Sequence, residues 1–360
     1  MQEKSQRERC KKFLLELLDD DDSCIIIKNI KNIRYLSNFS GSYGIIYMEK
    51  DRSLFICDRR YEERCYKEVK NFEILIVREP FREALLRSSS KKNLLAEYLD
   101  LSLAELEIIR EISKNIEVKD ISYVIRNFRM KKDGEEKRLI KEASKINKRA
   151  YERFAGFVEK NIGKITERDA ALELEYLMRK EGSETPYFPT IVASGGNASV
   201  PHAKPSDKKI EQGPILIDFG SVKDGYSTDE TVVLYAGKVD EEYKRMWEIL
   251  RDAKNYAVDS IKVGERLSLP EARAREFLSR YDLEKFFVHS IGHGVGLEVH
   301  ELPKLSRDSN GVFEEGMVFT IEPGIYIKEK LGIRLEDVIC LSYSGIEILT
   351  EINKEAIISV

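Results

Sequence analysis

The amino-acid sequence predicts an α+β protein of two domains, residues 1–127 and 128–360. Three observations carry this reading. The chain has 360 residues, too many for one average domain and well suited to two. Short β-rich runs alternate with helical patterns as far as about residue 127. A highly charged helix-forming stretch follows, and strands then dominate from 186 onward. A hydrophobic content of 42% supplies enough apolar side chains for a sizeable core.

In the first domain CIIIKN, YGIIYME, SLFIC and EILIV predict short strands, and SLAELEIIREIS has the apolar spacing of a helix. The opening MQEKSQRERCKKFLLELLDDDD sets a short apolar stripe among charges, which predicts an amphipathic helix and not a signal peptide. Its acidic run Asp19–Asp22 predicts a solvated loop. The turn signal Lys132-Asp133-Gly134 places the domain boundary within 128–134. Two long amphipathic helices are expected at 135–160 and 166–181, the second capped by Thr166 with Asp169 three residues on. Further helices are expected near 240–261 and 268–280, with Trp247 as a packing residue.

Composition excludes several function classes. With 60 basic and 64 acidic residues and a net charge of -4, the chain lacks the basic footprint of a nucleic-acid binder. Its apolar runs fall far short of membrane-spanning length, so no membrane partner is expected and a cytoplasmic location is. The five cysteines, Cys10, Cys24, Cys57, Cys65 and Cys340, are odd in number and form no paired motif, which predicts reduced thiols.

Chemistry concentrates in three stretches. In GPILIDFGSVKDGYSTDETVVLY, two β-rich runs flank Asp224-Gly225, a two-residue hairpin signal. That turn sets Asp229 opposite Gly220, so Asp218 and Asp229 become diagonal neighbours on one face. In GMVFTIEPGIYIKEKLGIRLEDVICL, a turn near Lys328–Lys330 puts Glu322 and Glu336 on facing strands. A lone acid in a strand usually sits at an edge or in an ion pair. Four inward acids are expensive to bury uncompensated, and Arg334 can neutralise only one, so they call for a cation. Three of the four histidines, His289, His293 and His300, crowd into HSIGHGVGLEVHE, while His202 lies upstream in VPHAKP. His289 and His293 have the spacing of a helical zinc chelate. Gly292, Gly294 and Gly296 argue instead for an extended segment close to other backbone or to a ligand. GHGVGLE lacks the spacing of a nucleotide-binding glycine loop.

IDFGSVKDGYSTDET, SIGHGVGLEVHE, TIEPGIYI and GIRLEDV together resemble the pita-bread metallopeptidases, specifically the proline-directed branch of Xaa-Pro aminopeptidases and Xaa-Pro dipeptidases. NIRYLSNFSGSYG and ICDRRYEERC resemble that branch's N-terminal domain, and FPTIVASGGNASVPHAKP its substrate-side segment. The resemblance implies a small mixed-sheet domain at 1–127 and a pita-bread catalytic domain at 128–360. It implies metal ligands at Asp218, Asp229, His293, Glu322 and Glu336, with Asp229 and Glu336 bridging two divalent ions. One histidine among oxygen ligands favours manganese or cobalt, with zinc or iron next. It further implies that His202 and His300 line the substrate pocket, with His289 nearby, and that Glu322 serves as base or proton carrier in hydrolysis of the bond before proline. A homodimer is implied as well. Methionine aminopeptidases share these ligands but lack the N-terminal domain. Creatinase-like amidinohydrolases need no metal, and non-catalytic relatives lose ligands. This chain departs from the family at Thr228, before the bridging Asp229, and at Val232, after Thr231; neither departure is expected to touch a ligand. A third departure is Lys304, where similar dipeptidases carry an arginine for the substrate's terminal carboxylate.

Overall fold

A computed structural model of the chain describes residues 5–18, 20–113 and 115–360. It forms two compact units, Met1–Arg129 and Met130–Val360. The first runs α1 (Gln6–Glu16), β1 (Ser23–Ile27), α2 (Ile30–Ser37), β2 (Ile45–Glu49), β3 (Arg52–Cys57), α3 (Glu62–Glu68), β4 (Glu73–Ile76), α4 (Pro80–Ser88), β5 (Asn93–Ala96), α5 (Leu103–Ile112), β6 (Glu117–Asp120) and α6 (Ser122–Met130). Its six strands make one mixed sheet in the order β4-β3-β2-β1-β5-β6, antiparallel at the centre and parallel on both flanks. Ile26, Tyr47, Leu54, Ile56 and Leu94 form the core of one face with Leu85 and Ile109 from the helices. The first four residues of the expected N-terminal helix, and Asp19, lie outside the described residues. Asp20 and Asp21 are exposed, as a solvated loop requires, and Asp22 pairs with Lys92. All five cysteines are free. Cys57 and Cys65 are both free and fully buried, yet their sulfurs lie 2.9 Å apart. The end of β3 and the following helix bring together thiols whose spacing carried no pairing signal.

The second unit opens with α7 (Gly134–Asn161) and α8 (Glu167–Lys180). Each begins with a reciprocal cap, Asp133 with Glu136 and Thr166 with Asp169, which satisfies backbone N–H groups that a helix start leaves open. Then come β7 (Ile191–Ser194), β8 (Gly213–Phe219), β9 (Val222–Lys223), β10 (Tyr226–Ser227) and β11 (Glu230–Ala236). Helices α9 (Glu241–Val258) and α10 (Leu269–Ser279) follow. The chain ends with β12 (Gly292–Gly294), β13 (Glu301–Leu305), β14 (Val318–Ile321), β15 (Gly324–Ile327), β16 (Leu331–Arg334), β17 (Asp337–Ser342), β18 (Gly345–Ile348) and β19 (Ile358–Ser359).

Two sheets, β19-β11-β8-β7 and β13-β12-β14-β17-β18, are supplemented by the ribbon β15-β16. Helices α7 and α8 bury Tyr151, Phe154, Leu174 and Leu177 against Ile215, Ile217, Val232 and Leu234. Helices α9 and α10 bury Trp247, Leu250 and Leu278 with Phe319 and Ile339. Asp224 and Gly225 both adopt positive φ, as the two-residue turn requires. The ladder beyond keeps the predicted register, with Glu230 opposite Phe219 and Thr231 opposite Asp218. The second hairpin turns at Lys328–Lys330, with Gly324 opposite Arg334 and Ile321 opposite Asp337.

Candidate active site

These registers converge the acids. Asp218 is next to last in β8, Asp229 immediately precedes β11, and Glu322 and Glu336 face each other where β14 and β17 give way to the ribbon. The histidine segment is extended, as its glycines predict. A Cβ on Gly292 would stand 2.0 Å from the Thr320 carbonyl oxygen, and one on Gly294 would stand 2.0 Å from that of Leu302. Its glycines therefore admit neighbouring backbone, and His293 is delivered beside the carboxylates. The His293 Nε2 lies 3.4 Å from Glu322 Oε1 and 3.7 Å from Asp229 Oδ2. One donor atom each from Asp229, His293 and Glu336 fall within 4.8 Å of one another. The His293 Nδ1 sits 3.0 Å from its neighbour's carbonyl oxygen at Gly294, an arrangement that puts the ring proton there and leaves Nε2 as a lone-pair donor.

Electrostatics test whether a metal fits. Asp229 and Glu336 are buried, and burial followed by the neighbouring carboxylates pushes both well above the carboxylate range. Burial also raises Glu322. Arg334 is the one buried cation against them among the described residues, and its Nη2 donates to Asp218 Oδ2 at 2.6 Å. The other Asp218 oxygen, Oδ1, is buried with no hydrogen-bond partner. Four converging carboxylates, one guanidinium and an orphaned oxygen fit hard or borderline divalent cations.

Hydroxyls set the carboxylates. The Thr231 hydroxyl donates to Glu336 Oε2 at 2.7 Å and accepts from Arg334 Nε at 2.9 Å. The Thr320 hydroxyl contacts Glu322 Oε1 at 3.3 Å and accepts from the His293 N–H at 3.1 Å. Sequence reasoning passed over both threonines and Tyr326, because a threonine or tyrosine in a buried strand looks like an ordinary β-former. The threonines' one signal was position, Thr231 opposite Asp218 and Thr320 two residues before Glu322.

The remaining histidines ring the cluster. His289 Nε2 is 3.0 Å from the Tyr326 hydroxyl, which accepts from Arg334 Nη1 at 2.8 Å. The ring of His300 lies 4.3 Å from that of His293, centroid to centroid. Burial lowers the pKa of His289, His293 and His300, and His202 is close enough to lower His289 and His300 further. His202 and His300 are exposed, so the site grades from buried carboxylates outward to accessible imidazoles. Lys304 is exposed and pairs with His293 across the β12–β13 ladder.

Residues 138–342 match metallopeptidase family M24, and residues 9–131 match the creatinase/prolidase N-terminal domain. The chain belongs to metallopeptidase family M24. The Xaa-Pro dipeptidase of Pyrococcus furiosus is 35% identical to it over 354 residues, 97% of this chain and 99% of that protein. The crystal structure of an X-Pro aminopeptidase from Thermotoga maritima matches with a TM-score of 0.88 at 35% identity, covering 98% of this chain and all of that one. The prolidase of Pyrococcus horikoshii matches with a TM-score of 0.90 at 33% identity, covering 97% of this chain and all of that one. The M24 chain therefore has the family's pita-bread fold and is a metallopeptidase. No helix among its described residues is long and apolar enough to cross a membrane.

Proposed function

We propose that this M24 enzyme is a cytoplasmic, homodimeric Xaa-Pro exopeptidase, with the catalytic domain at 128–360 and the creatinase-like domain at 1–127. The observation that carries the metal assignment is the convergence of Asp229, His293 and Glu336 beside the orphaned Asp218 oxygen. Asp218, Asp229, His293, Glu322 and Glu336 would hold two divalent ions, manganese or cobalt first. When bound, the ions supply an acidified water and Lewis-acid polarisation of the scissile carbonyl. Glu322, raised by burial, is suited to accept and return a proton at its carboxylate oxygen. Arg334 and Thr231 fix the carboxylates of Asp218 and Glu336 so that neither rotates away during turnover. His202 and His300, both exposed, donate hydrogen bonds to the peptide and carry protons to the departing proline nitrogen. His289, fixed by Tyr326, lines the same pocket.

An aminopeptidase is the favoured form, and Lys304 is its basis. A dipeptidase must grip a free carboxylate one residue beyond the cleaved bond, a task suited to the planar fork of arginine. Lysine offers a compact charge on a flexible stem, with less directional hold. The dipeptidase reading is supported by relatives of that name. The test is kcat/KM on Xaa-Pro against Xaa-Pro-Yaa peptides with manganese supplied, repeated for Lys304→Arg. The tripeptide should be accepted at least as well, and the arginine variant should shift toward the dipeptide. Strong dipeptide preference in the unaltered enzyme would establish the dipeptidase instead.

A further inference from the structure

The segment carrying His202 has an unusual foundation. Glu167, the first residue of α8, is fully buried, and among the described residues no cation pairs with it. Its two oxygens instead accept five hydrogen bonds. Oε1 takes the Ser194 N–H at 2.6 Å and the Ser194 hydroxyl at 2.9 Å. Oε2 takes Asn197 Nδ2 at 2.7 Å, the Ser206 N–H at 3.1 Å and the Ser206 hydroxyl at 2.7 Å. Ser194 closes β7 and Ser206 lies beyond His202, so one carboxylate joins both feet of the arch between them. The crown of the arch is held separately. Arg334 Nη1 donates to the Pro201 carbonyl at 3.1 Å, and the Glu329 N–H donates to the Ser199 hydroxyl at 3.1 Å. Ala198 and Ala203 pack with Tyr326, the residue that fixes His289.

We propose that Glu167 is a positioning residue for His202, setting the height and direction of the imidazole by clamping the arch that bears it; this rests on the pocket role proposed for His202. A buried carboxylate without a cation is tolerated in such a place only because its donors replace water. The same donors make the clamp intolerant of change. A glutamine presents an amide NH2 to backbone N–H groups that are themselves donors, so one foot comes loose.

A double-mutant cycle with an independent structural readout tests this. In the manganese-loaded full chain, Glu167→Ala should lower kcat on a Xaa-Pro-Yaa peptide by about 10²–10⁴-fold, the range for a lost proton-transfer group. Metal stoichiometry should stay unchanged. Glu167→Gln should fall between, and Ser206→Ala, which removes one donor, gives a milder variant if Glu167→Ala fails to fold. Added to His202→Ala, each should cost nothing further, because residues that act as one unit are not additive. Isotope-labelled histidine provides the second readout, since the chain has four histidines. In metal-free protein, the His202 ring signal should move or broaden while that of His293 stays in place. An equal additional loss in the His202→Ala background, or an unmoved His202 signal, overturns the proposal. If His202→Ala leaves kcat intact while its signal still moves in the Glu167 variants, the clamp stands and the role given to His202 falls.

Discussion

Buried carboxylates in the catalytic unit behave differently according to what neutralises them. Asp337 would be raised by burial, but Lys354 and Lys254 outweigh that and hold it far below the carboxylate range. Asp229 and Glu336 sit one residue from such pairs, and burial and the neighbouring carboxylates drive both upward. A divalent cation removes this repulsion, so metal binding and stability should be coupled. Wild-type protein equilibrated with manganese and desalted should retain two ions per chain and melt at a higher temperature than the metal-free form. Asp229→Ala should lose at least one ion and most of that thermal gain. Two ions retained by the variant, measured by elemental analysis, would remove Asp229 from the ligands.

At the scale of elements, much of the site was legible because turns set registers. Asp224-Gly225 and the Lys328–Lys330 turn were enough to bring Asp218 near Asp229 and Glu322 opposite Glu336. Strands β5 and β6 were not legible, since NLLA and EVKD are too short for periodicity and form by parallel pairing with a neighbour. Cys57 with Cys65 and Thr231 with Glu336 were invisible for the same reason: only tertiary contact joins them. The start of α7 carries its own pH dependence. Glu136 is buried, accepts from the Asp133 N–H at 2.9 Å and the Tyr226 hydroxyl at 2.7 Å, and burial pushes it up to about 7. The folded state therefore holds the proton more tightly than the unfolded chain. Its stabilisation is complete below the ordinary glutamate value and is lost as pH rises to about 7. The shift corresponds to roughly 3 kcal/mol. Urea unfolding at pH 5 and pH 8 should show a fall in stability that Glu136→Gln reduces by about that amount. An unchanged fall in the variant would assign the pH dependence to other groups.

Across the whole catalytic unit, Lys354 links segments far apart in sequence. Its ammonium contacts Glu230 at 2.5 Å and Asp337 at 2.9 Å, while Lys254 of α9 reaches the other Asp337 oxygen. Nothing in EINKEAIISV announced this, because a lysine near a chain end reads as solvated. Lys354→Met leaves two buried acids short of a cation and should destabilise the enzyme by about 3–5 kcal/mol, measured by denaturant unfolding. A loss below 1 kcal/mol, the scale of a surface pair, would mean that Lys254 alone suffices. The paired acids Asp229-Glu230 and Glu336-Asp337 point alternately to the candidate metal side and the lysine side. Strand β11 is also apolar on both faces, with Val232 and Leu234 in one core and Val233 and Tyr235 in the other. Neither charge nor hydrophobicity thus tells this strand which way to face. Alignment is indexed from the Asp224-Gly225 turn, as a ruler is read from its zero mark. Adding one residue there would leave the strand's composition untouched and exchange the acids between their cations, so a small hairpin tip that touches none of the acids determines which of them can meet a metal.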